Sequence, residues 1–427
     1  MIINQALADD LQIKAADVEA GTAKITVRIP KQTQLPADSA LGRKTDLIES
    51  LVDLKVSQIV PTAGLGRFGL HPSQSDPLNV YVPIELLQNS LQRTVLKHKS
   101  DPAQANVLLL GSKTKTPPSE SVSQQFRSAI RPTLADSGLV LKRVKQTFGE
   151  EQGEEKAKTI FDYWSLSSDK LVLTSEAVDS VVQAFPNATP VFTYLANDIR
   201  RSDQASGVPF SMVAAIDFSE GFEPVSAVTN QPIAALGENE IVLNQWAAED
   251  IGAKIGDEIT MSYFEPETTH GSQVESSTQL KLIDIVSLTQ PNTPFIFHPR
   301  KGVSPATFTS VPTVANDADL TPEVPGVTDA ESIENWDLPF ETAGKIRAQD
   351  DDYWSFHRTT PKGFVSLATG RKLWDSRFGV TTSFRIPGET GTREELTAKL
   401  LDQFAACLLY TSPSPRDQRG SRMPSSA

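Results

Sequence analysis

The stretch VLNQWAAEDIGAKIGDEITMSYF (Val242–Phe264) is nearly restated by IINQALADDLQIKAADVEAGTAKITVRI (Ile2–Ile29). With Ile3 set against Leu243, Asn4 meets Asn244, Gln5 meets Gln245 and Ala8 meets Ala248. Asp10 meets Asp250, Lys14 meets Lys254 and Asp17 meets Asp257. Ile3/Leu243, Asp9/Glu249 and Leu11/Ile251 are conservative pairs. One ungapped offset at this density of identity marks an internal duplication, which decides the architecture before any local reading does. Unrelated capped helices followed by strands would explain each copy, but not their agreement.

Both copies follow the same local logic. An Asn ahead of an Ala/Leu-rich stretch caps a helix, because its side chain accepts a free first-turn N–H. Leu7 and Leu11, four apart, share one helical face. Gly252 stops the second helix. IGDEI is a turn that carries Gly256 and Asp257 into a strand. There Ile259, Met261 and Tyr263 alternate with Thr260 and Ser262, as Ile25, Val27 and Ile29 alternate with Thr26 and Arg28 in the first copy. A further strand follows in each, LVDLKVSQIV from Leu51 and TQLKLIDIV from Thr278. PLNVYVPIELLQNSL from Pro77 is echoed by TPKGFVSLATGRKLW from Thr360. The predicted unit is a short helix, a turn, two strands, a variable insert, then a strand leading into a helix.

Outward from the repeats, the pattern predicts an α+β chain of mixed β-rich and α/β lobes with an internal duplication. A first β-rich repeat lobe covers 1–98, an α/β lobe 99–205, and a second repeat lobe 206–406 with a long insertion at 289–350. In the middle lobe ANVLLLG and LVLKRVK read as strands and GEEQGEEKAK as a charged surface loop. SESVSQQFRSAIRPTLADSG reads as a helix with Val122, Phe126, Ile130 and Leu134 on one side, distorted at Pro132. DKLVLT, TPVFTYLAND and PFSMVAAIDF read as strands. SEAVDSVVQAF reads as a helix grouping Val178, Val181, Val182 and Phe185. The insertion, rich in Pro, Asp and Thr, is either a functional loop or partly disordered. The aromatics of ENWDLPF, DDDYWSF and KLWDSRFG either pin it to the core or form a docking surface.

The chain has 427 residues and a net charge of −13. An acidic chain without a basic stripe argues against nucleic acid as a partner. Its single Cys, Cys407, opens the terminal stretch CLLYTSPSPRDQRGSRMPSSA. That stretch reads as a translated sequencing-library adapter, so 407–427 is taken as a non-native tail, the alternative being a disordered C-terminus. Arg416, Arg419, Arg422 and Asp417 lie in it, so the remainder is more acidic still. Without Cys, residues 1–406 offer neither a disulfide framework nor a Cys-based metal site. No apolar run approaches the roughly 18–20 residues that span a bilayer. The chain reads as a fragment that breaks off near Ala406, with Met1 as readily internal as initiating.

Several motifs lack their second half. GLGRFG (Gly64, Gly66, Gly69) has dinucleotide-site spacing, but Pro72 and Pro77 oppose the helix that must open there. In LLLGSKT, Gly111 and Lys113 are not adjacent and Asn106 stands near the place of the opening P-loop glycine, so no ATP site is legible. His71, His98, His270, His298 and His357 show no ligand spacing, which argues against zinc. Asp317 and Asp319 have the D-x-D spacing of a calcium loop without its glycine or closing Glu. Asp350, Asp351 and Asp352 offer carboxylates for acid/base work or a solvated charge run. No G-x-S-x-G elbow occurs. No catalytic, cofactor-binding or metal-binding constellation is therefore assigned.

NQWAAEDIGAKIGDEITMSYF, followed by LKLIDIV and later PKGFVSLATGRKLW, resembles the extracytoplasmic, MacB-like periplasmic core domain of FtsX-like ABC transporter permeases. That group includes macrolide-exporter and lipoprotein-releasing permeases. TPVFTYLAND and the run from LTPEVPGVTD to LWDSRFG resemble a large-ectodomain subgroup. The first copy departs in Ala16, where the pattern has glycine, and in the longer turn VEAGTA. The resemblance implies a bacterial inner-membrane permease that works as a dimer, with membrane helices before Met1 and after Ala406. It implies ATP hydrolysis on a separate cytosolic ABC ATPase subunit, a periplasmic or lipid-linked substrate, and no catalysis or cofactor here. The alternatives are a soluble or secreted two-lobed binding module, or a hydrolase using the acidic 317–352 loop.

Overall fold

The computed structural model describes residues 1–30, 48–69, 75–95, 119–129, 133–148, 158–219, 221–268, 272–290, 311–324, 326–338 and 346–411. The chain forms two compact units, one of residues 1–33 and 43–129, the other of 34–42 and 130–427. Both mix helices and strands, and the fold class is α+β. Among the described residues no helix is long and apolar enough to cross a membrane.

The first unit runs β1 (Ile2–Asn4), α1 (Gln5–Asp10), α2 (Ala15–Glu19), β2 (Lys24–Pro30), β3 (Ile48–Lys55), β4 (Gln58–Val60), β5 (Val80–Tyr81), α3 (Ile84–Val95) and α4 (Glu120–Ala129). β1 lies between β4, parallel, and β5, antiparallel, while β2 and β3 form an antiparallel pair. Ile3, Leu7, Ala8, Ala23 and Val56 make its small core.

The second unit begins with β6 (Leu139–Phe148), β7 (Lys158–Ser168), α5 (Ser175–Ala184), β8 (Thr189–Arg201) and β9 (Val208–Ala215). It continues with β10 (Glu240–Asn244), α6 (Gln245–Asp250), β11 (Glu258–Phe264), β12 (Glu275–Val286), β13 (Thr289–Gln290) and β14 (Val311–Pro312). It ends with α7 (Ala348–His357), β15 (Gly363–Val365), α8 (Leu367–Leu373), β16 (Ser383–Pro387) and α9 (Arg393–Thr411). The strand order β11-β12-β10-β15-β9-β8 closes on itself, because β8 pairs back onto β11 with Ile199 opposite Met261. The result is a six-stranded barrel, and closure removes its unpaired edges. β8 does two jobs. Its C-terminal half closes the barrel, while Thr189, Pro190 and Val191 pair with β16, which continues into β7 and β6.

Ile259, Met261, Leu243, Tyr194 and Trp374 belong to one apolar core of this unit. Trp374 stacks on Tyr194 at 5.3 Å and meets Phe192 edge-on at 5.7 Å. Helices α5 and α9 cover one face of the β16-β7-β6 extension. Leu396, Leu400 and Phe404, spaced by four, bury one stripe of α9 beside Val181, Phe185, Trp164 and Phe384.

The duplication extends to individual hydrogen bonds. Leu7 N–H donates to Asn4 Oδ1 at 3.2 Å, and Ala247 N–H to Asn244 Oδ1 at 2.9 Å. Ile13 N–H donates to Ala8 O, and Ala253 N–H to Ala248 O, both at 2.8 Å. Lys14 N–H reaches the Asp17 carboxylate at 3.0 Å, and Lys254 N–H that of Asp257 at 2.9 Å. Asn4 Nδ2 donates to Pro77 O at 2.6 Å, and Asn244 Nδ2 to Pro361 O at 3.0 Å. β10 lies between β12, parallel, and β15, antiparallel, as β1 lies between β4 and β5.

The structure corrects several local expectations. DKLVLT is a turn, with Leu171 at φ 69°, and the strand is the preceding β7. β7 escapes a period-two reading because its central residues are buried on both faces. β6, β7 and β8 share a sheet with β9 and β16, so the boundary expected at 205 falls inside continuous structure. Leu11, Val122 and Val182 are exposed at 46%, 50% and 52%, outside the apolar faces expected for them. ANVLLLG, the side chains of Phe126 and Ile130, and all of GEEQGEEKAK except Lys158 lie outside the described residues. α9 continues through Cys407 to Thr411, and the rest of the expected tail is likewise outside them.

The position after α1 and α6 is left-handed in both copies, occupied by Gln12 at φ 57° and by Gly252 at φ 60°. A side chain there costs about 1–2 kcal/mol. Gly252→Ala should therefore lower the second unit's stability by about 1 kcal/mol, while Gln12→Gly raises the first unit's by about 0.5–1 kcal/mol, since glycine also loses more chain entropy. Urea unfolding followed by residue-resolved NMR signals of each unit measures both, and opposite signs are expected.

Candidate functional site

Two buried polar nodes organise the second unit, and both fasten the insertion. The first is built on Asn244, which is fully buried at the junction of β10 and α6. Its Nδ2 donates to Tyr353 Oη on α7 at 2.8 Å as well as to Pro361 O, while its own N–H donates to Lys362 O at 2.9 Å. Tyr353 Oη in turn donates to Thr360 O at 2.9 Å. One side chain thus joins a helix N-terminus, the helix into which the insertion leads and the loop entering β15.

Lys362 completes this node. Its Nζ sits 4.7 Å from the ring centres of both Trp246 and Tyr353, whose rings are 4.8 Å apart. It has no hydrogen-bond partner among the described residues. Burial pulls the ammonium down to about 8, against the opposing pull of Asp350 and Asp250, while Arg347 adds to the drop. Arg347 bridges Asp250 and Asp350 at 2.7 Å each, and these hydrogen bonds raise its own value further. The aromatic faces hold the cation where no carboxylate reaches it. Because Nζ is covered, the amine is a packed cation and not a reachable nucleophile.

The second node is the pair Asp317–Arg385, exposed at 1% and 6% on the side chains. Arg385 donates to Asp317 Oδ2 at 2.9 Å, and Tyr163 Oη donates to the same oxygen at 2.8 Å. The guanidinium lies 3.9 Å from the Tyr163 ring centre and 5.0 Å from that of Phe222. Burial pushes the Asp317 carboxyl up to about 6; Arg385 opposes this, Asp319 adds to it, and the Tyr163 hydrogen bond opposes it. Arg385 comes from β16, Tyr163 from β7 and Asp317 from the insertion, so the pair ties the insertion to the sheet extension.

The sequence candidates are placed as follows. Gly64 and Gly66 lie in a 3₁₀ turn, Gly64–Arg67, with no helix opening at it, and the Gly66 carbonyl accepts from Asn4 Nδ2 at 2.8 Å. A Cβ at Gly66 would come within 2.0 Å of the Pro61 carbonyl oxygen, which accounts for glycine there. Asp317 and Asp319 are separated in role, Asp319 pairing with Lys142 at 2.8 Å. Asp350 is fully buried against Arg347, and Asp351 accepts from Ile333 N–H at 3.2 Å. His357 is buried with its Nδ1 3.1 Å from Asn316 Oδ1. LLLGSKT and the other four histidines lie outside the described residues. Among the described residues no group of three or more His, Cys, Asp or Glu forms a metal cluster. Trp336 and Trp354, meeting edge-on at 5.2 Å, and Trp374 are buried, which is the pinning role for the aromatics.

Sequence reasoning missed Lys362 and Arg385. Arg385 left one signal, a lone cation between Phe384 and Ile386 in a short apolar strand. Lys362 left none, since PKG reads as a turn. A shallow groove of about 290 Å³ lies beside α6, lined by Val228, Ala248, Gly252, Ala253, Lys254 and Ile285 among others. Its size is at the lower limit for small-molecule sites. Compared with known families and curated proteins, the chain matches no family model and no curated sequence.

Both nodes predict a pH signature. Lys362 has a folded value of about 8 against an ordinary 10.5. The unfolded chain then binds more protons between those values, so this residue's contribution to stability rises as pH climbs from 8 to 10.5. Lys362→Met should be more stable than the parent at pH 7, with the gap shrinking by about 3 kcal/mol by pH 10.5. A pH-independent gap in urea midpoints would refute the burial of the charge. Asp317, at about 6 against 3.8, works in the opposite direction. Its contribution is full below pH 3.8 and falls as pH rises through about 6. The stability difference between parent and Asp317→Asn should therefore decline across that window, read from paired urea titrations.

Proposed function

We propose that this chain is the extracytoplasmic domain of an FtsX-like ABC transporter permease, coupling ATP-driven motion of membrane helices to substrate export or release outside the bacterial inner membrane. The observation that carries this reading is the duplicated unit. Capped helix, a Gly256-Asp257 or Ala16-Asp17 link (a turn in one copy, the short helix α2 in the other), paired strands, insert and closing strand–helix recur in one order, and that order underlies the resemblance to such permeases. A part of this kind works by moving as stiff bodies about hinges. The closed barrel and the insertion fastened at two buried nodes have the stiffness such work requires.

On this reading the hydrolysis of ATP belongs to a separate cytosolic ABC ATPase subunit, reached through membrane helices of the longer protein. The permease acts as a dimer on a periplasmic or lipid-linked substrate, and this domain performs no covalent chemistry. Lys362 and Arg385 then serve as packed cations that keep the lobe rigid.

The test is to read the source gene through both ends of this coding stretch and to fractionate cells that express the whole protein. Apolar stretches of roughly 20 residues on each side, recovery in the inner-membrane fraction and a neighbouring gene for a P-loop ATPase are expected. A frame that closes without an apolar stretch, and a product in the soluble fraction, would sink the transporter reading in favour of a two-lobed soluble binding module.

A further inference from the structure

We propose that the first copy is an unfinished barrel, and that the outer edges of β2 and β5 receive a two-stranded β-hairpin of the β8–β9 kind from polypeptide encoded ahead of Met1. The proposal rests on the duplication and stands apart from the transporter reading.

Register defines the equivalences. Ile3 faces Ile59 and Val80 as Leu243 faces Ile285 and Gly363. Lys24 faces Lys55 as Glu258 faces Lys281. Hence β2 corresponds to β11, β3 with β4 to β12, and β5 to β15. In the second copy the remaining edge of β11 is taken by β8, antiparallel, and that of β15 by β9, parallel. β8 and β9 are themselves an antiparallel pair, and they close the ring. In the first copy no strand takes either edge among the described residues.

Burial follows the same difference. Ile259 and Met261 are fully buried and Tyr263 is 7% exposed, whereas their counterparts Ile25, Val27 and Ile29 are only half-buried. Phe364 and Val365 are fully buried, while Tyr81 and Val82 are half-buried. Leu367 is 7% exposed and its counterpart Ile84 is 48%; Ile251 is 4% and its counterpart Leu11 is 46%. The sequence therefore keeps apolar residues at positions whose cover is present in one copy and missing from the described part of the other. Two edges that are open among the described residues, beside half-covered apolar side chains, suit strand addition, in which backbone hydrogen bonds bind and alternate side chains fill the gap.

The same comparison identifies the occupant. In the second copy the hairpin precedes β10 on the same chain, starting at Thr189, so the counterpart lies within about fifty residues ahead of Met1. It should contain two runs of alternating apolar residues joined by a turn, the first pairing antiparallel to β2 and the second parallel to β5.

The experiment compares this chain with one extended by the upstream codons of its source gene, by amide hydrogen exchange and sedimentation. The expected result is that the extension slows exchange of the β2 and β5 amides roughly tenfold or more in a monomer. Proline placed in each upstream run should return exchange to the level of the shorter chain. Equal exchange in the two chains overturns the proposal. So does protection already present in the shorter chain, whether it appears with self-association, which assigns the edges to a second copy, or in the monomer, which assigns them to another part of this chain.

Discussion

Asn244 has no accessible surface, and its amide meets three demands at once. Its Oδ1 closes the first turn of α6, and its Nδ2 donates both to Tyr353 on α7 and to the loop that enters β15. A buried backbone group left without a partner costs about 1–3 kcal/mol, while the Tyr353 hydroxyl keeps a second bond, to Thr360 O. Asn244 lies more than a hundred residues ahead of both Tyr353 and Pro361, so the closing strand of the unit is positioned by a side chain of its opening strand. Asn4 plays the same part in the first copy with Gly66, Pro77 and Asn79. A duplicated fold that keeps this asparagine keeps its strand order.

Barrel closure depends on one long strand. β8 gives its C-terminal half to β11 and its N-terminal half to β16, so the barrel and the three-strand extension share a single backbone. The insertion is then held against this frame at two places. Tyr353, Trp246 and Lys362 hold α7 at the barrel, and Arg385 with Tyr163 holds Asp317 at the extension. Neither node is a low-cost surface ion pair. Each buries a charge against aromatic faces, Arg385 with directed hydrogen bonds as well and Lys362 with none among the described residues. Their service is to place a long, irregular segment uniquely, which apolar contacts alone do less sharply.

How much of this was legible depended on whether the determining contact was local. The asparagine caps, the Gly252 stop, the Gly256–Asp257 turn and the alternation of β2 and β11 all rest on neighbours within a few residues, and they read directly from the chain. β7 did not, because a strand covered on both faces loses its alternation. Leu11 and Val182 have the spacing of buried residues, but about half of each stays exposed. The candidate nodes were less legible still, since Lys362, Trp246 and Tyr353 meet only after the insertion folds back.

The sequence by itself determined the repeat, the order of elements within it and the turn chemistry at each junction, because caps, glycines and periodicity act over one or two turns of chain. Only the tertiary structure decided that the second copy closes into a barrel, and which charges are buried. Strand pairing between β8 and β11, and the distance between Asp317 and Arg385, depend on segments about sixty residues apart or more. No local pattern encodes that pairing, and it is settled by which apolar faces can be covered together.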